Sequence, residues 1–211
     1  MGTDVLLQLG ILIFTLGIIC LLHYLPRQGF SQLRSKSRPN IQANRHFILG
    51  AQFLTRARSV QHRSNKTTAF NLAKSAAVEA DKALAIQPKD PAVHILKAMA
   101  LDLMGRKGSA LKSLNLALSP PLVKELSGKD KGDALFKRAE LLISMNRRRR
   151  IESAMSDLIE AVKLNSENAD AFCLLGRCYE GKGFNHEAKH AFSEALKIDP
   201  GLVEARDGLG R

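Results

Sequence analysis

The sequence predicts an all-α chain in which one membrane-spanning helix precedes a solenoid of about four helix pairs. Three observations carry this. Alanines recur in pairs seven residues apart (Ala76/Ala83, Ala110/Ala117, Ala154/Ala161, Ala188/Ala195), with successive pairs 34, 44 and 34 residues apart. Recurrence at such a period marks stacked helix-pair repeats, each too small to bury its own apolar face. The 22 residues from Val5 to Pro26 carry no formal charge. Trp is absent, aromatics make up 5% of the 211 residues, and β-branched residues do not cluster beyond the first 20, which favours helices over sheets.

The apolar segment comes first. Gly10 to Leu22 is its core, and about 20 such residues at a 1.5 Å rise cross a hydrocarbon layer. Gln8, His23 and Tyr24 sit near its ends, where polar and aromatic groups meet the interface, and Pro26 stops the helix. A cleaved signal peptide needs a basic start and small residues before the cut, whereas this chain opens Met-Gly-Thr-Asp and ends the segment His23-Tyr24-Leu25-Pro26. Residues 1–26 therefore read as a signal anchor, and 27–42 as a basic juxtamembrane linker. Arg27, Arg34, Lys36, Arg38 and Arg45 follow the span while Asp4 precedes it, so the positive-inside rule expects residues 27–211 to face the cytosol. The endoplasmic reticulum and the outer membrane of mitochondrion or plastid fit equally.

The net charge of +12 is uneven. Residues 5–78 hold ten Lys or Arg and no acid; residues 79–211 hold 22 basic and 19 acidic residues. A basic stretch beside an apolar span suits anionic lipid, RNA or the direction of insertion.

The repeat is clearest at 169–202, ADAFCLLGRCYEGKGFNHEAKHAFSEALKIDPGL. With Ala169 as position 1, Phe172, Leu175, Gly176, Tyr179, Ala188, Phe192, Ala195 and Pro200 fall at positions 4, 7, 8, 11, 20, 24, 27 and 32. Gly176 and Ala188 let two helices approach, the aromatics fill their seam, Ala195 admits the next helix and Pro200 ends the second. This window resembles a tetratricopeptide repeat at every signature position, with Phe in place of the usual Trp. The resemblance implies a right-handed α-solenoid whose first helices build a concave binding face.

The other repeats follow by register. Leu158, Leu114 and Ala80 take the role of Phe192, and Pro88 that of Pro200. His46, Leu49, Gly50 and Phe53 fit the first helix of repeat one, with Ser59–Thr68 expected as a long inserted turn. Ala98 and Leu101 serve repeat two; Leu135, Ala139 and Leu142 serve repeat three, after a Ser119–Asp133 loop and with extra residues in the Asn146–Arg150 turn. The tetratricopeptide-type domain is thus 43–211, with repeats at about 43–90, 91–124, 132–168 and 169–202 and a short terminal helix, where Leu209 and Gly210 match the Leu-Gly pair.

Candidate chemistry is sparse. His186-Glu187-Ala188-Lys189-His190 matches the H-E-x-x-H zinc-protease pattern. At 100° per residue, however, both histidines point away from the core-facing Ala188, and no convincing third ligand follows. Cys20, Cys173 and Cys178 read as free thiols of a reducing compartment. No phosphate loop, nucleophile elbow or carboxylate pair is evident, so no catalytic residue, metal or cofactor is expected. Arg147, Arg148, Arg149 and Arg150, with Lys137 and Arg138 nearby, form a basic run without interleaved aromatics for base stacking.

By the resemblance, the groove is lined by Phe47, Ile48, Ile95, Leu96, Met99 and Leu103 in repeats one and two. Lys137, Glu140, Asp170, Arg177 and Glu180 line it in repeats three and four. The first half is expected to be apolar and the second mixed in charge. The positions where related domains clamp a chaperone's C-terminal carboxylate hold Ile95, Met99, Lys137, Asp170 and Leu174, with one cation and no Asn, which argues against that ligand. The expectation is a non-enzymatic, membrane-anchored adaptor that binds a protein or peptide. The alternative is a structural subunit of a membrane or organellar assembly, whose basic residues Arg34, Lys36, Arg38, Arg45 and Arg147–Arg150 meet lipid or RNA.

Overall fold

The computed structural model describes residues 27–62, 65–145 and 150–210, with the backbone alone described over 27–39 and at His62. The described residues form α1 (Arg27–His62), α2 (Lys66–Ile86), α3 (Pro91–Leu103), α4 (Lys107–Ala117), a 3-10 turn (Leu122–Glu125), α5 (Gly128–Ser144), α6 (Ile151–Leu164), α7 (Ala169–Lys182), α8 (Asn185–Ile198) and α9 (Val203–Leu209), and no strand. No described helix is long and apolar enough to cross a membrane. The span expected at Val5–Pro26, with Cys20, lies outside the described residues.

The chain divides into two compact units, Met1–Gln42 and Ala43–Arg211. In the first, the backbone is helical from Arg27, so the segment read as a linker is a helix, as its Gln, Leu, Arg and Lys residues favour.

The second unit is a stack of helix pairs held by four apolar clusters. Each cluster joins a first helix, its second helix and the first helix of the next pair. Leu54 of α1 packs with Ala76, Ala80 and Ala83 of α2 and Val93 and Leu96 of α3. Ala98 and Leu101 of α3 meet Ala110 and Leu114 of α4 and Ala134 and Leu141 of α5. Leu135 and Ala139 of α5, Ala154 and Leu158 of α6, and Ala171 and Leu175 of α7 form the third. Cys173 of α7, Phe192 and Ala195 of α8, and Ala205 of α9 form the last. The eight recurrent alanines are all 3% exposed or less, because a larger side chain there would hold the helices apart.

Local chemistry sets the ends. Asp90 caps α3 through Ala92 N and Val93 N, with Pro91 in the first turn. Asn168 caps α7 through Ala171 N. The turns after α3 and α7 each contain a glycine at position 15 of its repeat, Gly105 and Gly183, with φ of 75° and 81°, a conformation that a Cβ disfavours.

Two boundaries differ from the sequence expectation. Ser59–Thr68 is not a long turn: α1 continues to His62 and α2 begins at Lys66, capped by Asn65. The stretch contains neither Gly nor Pro to break a helix. Ser119–Asp133 is not an open loop: it holds the 3-10 turn, and α5 starts at Gly128, where Ser127 Oγ accepts from Asp130 N and donates to its carboxylate. Within this start, Gly132 lets α5 pass α6; a Cβ there would stand 3.1 Å from Ala161 O.

At the end, the expected short terminal helix is α9. Gly210 is exposed, and it is Gly208 that lies against Phe192, where a Cβ would come 2.5 Å from the ring. Gly210 holds the position that elsewhere admits a repeat's own second helix, as Gly176 does beside Phe192 in α7. Among the described residues no helix follows α9.

Candidate functional site

Two hollows lie on the face formed by the first helices. The one between α1, α3 and α5 has a volume of about 630 Å³. Phe47, Ala51, Leu54, Ile95, Leu96, Met99 and Leu126 give it an apolar floor, and Asp90, Glu125, Asp130 and Asp133 stand among its lining. The one between α5, α7 and α9 has about 650 Å³ and is lined by Phe136, Ile143, Leu174 and Val203 together with Lys137, Glu140, Asp170, Arg177 and Glu204.

Phe47, Ile95, Leu96 and Met99 of the expected groove line the first hollow, and Lys137, Glu140, Asp170 and Arg177 the second. Leu96 is 5% exposed and belongs chiefly to the core beneath. Ile48 and Leu103 are in the lining of neither hollow: Ile48 is 49% exposed, and Leu103 packs on the cluster of α1, α2 and α3.

The two hollows differ electrically. In the second, Lys137 Nζ lies 2.7 Å from Glu140 and Arg177 Nη1 3.3 Å from Glu204, so both cations already face an acid. Lys137 also sits 5.0 Å from the centre of the Phe136 ring. In the first, all four charged groups are carboxylates. This acidity was not expected from the sequence. Asp90 directly before Pro91, and Ser127-Gly128-Lys129-Asp130 as a capping box, are the signals that place two of the four at helix starts facing the hollow.

Other ionisable groups are occupied with structure. Arg138 donates from Nε and Nη2 to both oxygens of Asp157, each at 2.7 Å, tying α5 to α6. It does not extend the basic run, and neither does the paired Lys137. Arg147, Arg148 and Arg149 lie outside the described residues, and Arg150 is partly buried with Nη1 3.5 Å from Met145 Sδ. The side chains of Arg34, Lys36 and Arg38 also lie outside them, while Arg45 is exposed.

Hydrogen bonds from Lys82 and His46 hold the Glu79 carboxyl below the usual carboxylate range. Burial, with Glu140 nearby, raises that of Asp102. Burial also pushes the Cys173 thiol up to about 11 and raises Cys178. The two thiols sit in different clusters and are free.

His186 and His190 are exposed, on the rim of a 290 Å³ hollow floored by Ile159, Phe172 and Tyr179. Among the described residues, no group of three His, Cys, Asp or Glu side chains is placed to hold a metal.

Residues 169–202, the helices α7 and α8, match the family model described as tetratricopeptide repeat. The fold of the chain is similar to that of solved tetratricopeptide proteins along most of its length. YrrB, a TPR protein described as having an unusual peptide-binding site, is 20% identical, with a TM-score of 0.55 over 75% of this chain and 73% of that one. TTC0263, a thermophilic TPR protein of Thermus thermophilus, is 18% identical, with a TM-score of 0.55 over 79% of each chain. MamA is 21% identical, with a TM-score of 0.56 over 66% of this chain and 76% of that one. No curated protein matches the chain.

Proposed function

We propose that this chain is a membrane-tethered tetratricopeptide adaptor that holds a segment of a partner protein against its first helices, without catalysis. The observation that carries the reading is the pair of hollows of about 630 and 650 Å³ on one face, each with an apolar floor and charged groups around it. Apolar area supplies affinity in such a groove, and the placed charges supply choice. The peptide-binding site ascribed to the similarly folded YrrB supports the same use of the fold here.

The tether is residues 1–26, on the strength of 22 uncharged residues followed by a basic flank. Residues 27–211 then face the cytosol, at the endoplasmic reticulum or an organellar outer membrane. Tethering raises effective concentration, so a groove of modest affinity suffices. The non-catalytic part of the reading rests on the sequence, in which no phosphate loop, nucleophile elbow or carboxylate pair is evident.

A photo-crosslinking residue placed at Met99, in the first hollow, is expected to capture a partner in cells. The same residue at the 53% exposed Leu116 on α4 is not. Equal capture from both positions defeats the groove reading. Protease treatment of intact organelles tests the tether separately: a protected C-terminus overturns the orientation.

A further inference from the structure

We infer that the hollow between α1, α3 and α5 takes a partner segment that is both apolar and positively charged. This rests on the reading that the first-helix face binds a protein, and it names the chemistry of the ligand. The chain carries 32 Lys and Arg against 20 Asp and Glu, yet this lining has four carboxylates and no Lys, Arg or His. Residues 79–211, which supply all four, hold 22 basic and 19 acidic residues, so composition alone does not give a lining of carboxylates without a cation.

The carboxylates' own partners are neutral. Asp90 accepts from Ala92 N and Val93 N, Asp130 from Ser127 Oγ, and Asp133 from the amides of Asn165 and Asn168. None of these bonds places a cation on a carboxylate; Lys129 acts electrostatically on Asp130 and Asp133, but its amine is bonded to Glu167 at 2.9 Å. Helix capping accounts for Asp90 and Asp130. It accounts for neither Glu125, whose exposed carboxylate has no hydrogen bond or ion pair among the described residues, nor the absence of cations. An apolar floor of Phe47 and Met99 beside four carboxylates, with no cation in the lining, is complementary to an apolar segment bearing Lys or Arg.

Three packed first helices set the reach. Two interaxial steps of 8–10 Å make about 18 Å, or about 12 residues of a bound helix. The long-range field of the whole chain, at +12, opposes this preference: it draws acidic peptides in and pushes basic ones away. A preference for a basic peptide is therefore a local property of the hollow.

The test is fluorescence anisotropy of the full-length protein in non-ionic detergent, with three labelled amphipathic peptides. They share one apolar face and carry Lys, Gln or Glu at the polar positions. The Lys peptide is expected to bind about tenfold tighter than the Gln peptide, and the Glu peptide most weakly, with the Lys advantage shrinking as salt rises. Glu125→Lys, at an exposed site, is expected to weaken the Lys peptide about fivefold more than it weakens the Gln peptide.

Glu-peptide binding as tight as Lys-peptide binding overturns this inference. If the Gln and Glu peptides still bind and Met99→Asp weakens them, the groove reading survives that failure. Binding by none of the three sinks both. Self-association of the protein that Glu125→Lys abolishes assigns the hollow to a second copy, and likewise overturns the proposal.

Discussion

Replacing Gly176 by alanine measures how tightly the last repeat is closed. A Cβ at Gly176 would stand 2.7, 2.8 and 3.0 Å from three carbons of the Phe192 ring, where ordinary carbon contacts need about 3.5–4.0 Å. The ring must give about 0.8 Å on this side. It cannot do so freely, because Phe192 is 1% exposed and its opposite edge already lies against α9 at Gly208, where a Cβ would come within 2.5–2.8 Å of it.

Overpacking of this kind costs about 2.5 kcal/mol. The same substitution returns about 1 kcal/mol, because alanine is the better helix former in α7. The net expectation is a loss of about 1.5 kcal/mol. Gly181, in the same helix, has nothing within 4 Å of its Cβ position, so Gly181→Ala isolates the backbone gain. The two substitutions should differ by about 2.5 kcal/mol, or about 5–10 °C in midpoint for a chain of this size. Circular dichroism of the full-length protein on heating reads this, and Phe192→Leu in the Gly176→Ala background should recover about 1 kcal/mol through coupling. If Gly176→Ala raises the midpoint as much as Gly181→Ala does, the close approach of α7, α8 and α9 is not as described.

Four further outcomes are expected. Asp157→Ala leaves the guanidinium of Arg138, whose side chain is 24% exposed, without its two-oxygen partner and should cost about 3 kcal/mol in denaturant unfolding. Glu79→Gln should cost about 2 kcal/mol at neutral pH by weakening the bonds to Lys82 and His46. The Glu79 carboxyl is held below its ordinary 4.5, so the native state binds its proton more weakly than the unfolded one does. The stability is therefore complete above pH 4.5 and lost on further acidification, and a gap between the two proteins that widens in acid would refute the sign. Cys173 and Cys178, buried and with raised pKa values, should react with a thiol reagent at about pH 7.5 far more slowly in the folded than in the denatured protein, a comparison made by absorbance. Residues 40–211 should give no micromolar calorimetric signal with an acidic chaperone-tail peptide, because Lys137, the one cation among the five clamp positions, already faces Glu140.

What the sequence determined by itself is the stacking. Ala76, Ala83, Ala110, Ala117, Ala154, Ala161, Ala188 and Ala195 are legible because closeness between helices tolerates only a small residue, and a repeated closeness writes a repeated letter. Eight of the eleven groove residues in the sequence reading line the two hollows for the same reason: register fixes the face of a helix. The turn of Ser59–Thr68 and the loop of Ser119–Asp133 were misjudged where the register breaks. There, helix ends depend on single caps, Asn65 and Ser127, rather than on a period. Gly208 stayed hidden because its partner is an aromatic ring of the preceding helix, outside the Leu-Gly pattern.

The tertiary structure alone decided the charge of the site. Asp90 closes repeat one, Glu125 and Asp130 belong to the segment between repeats two and three, and Asp133 stands near the start of repeat three, so no single period announces their meeting. Arg138, one of several cations in the sequence, leaves the basic run only because α5 packs on α6 and brings Asp157 within 2.7 Å. Packing is written locally and repeatedly, whereas electrostatics sums over whichever segments the fold brings together.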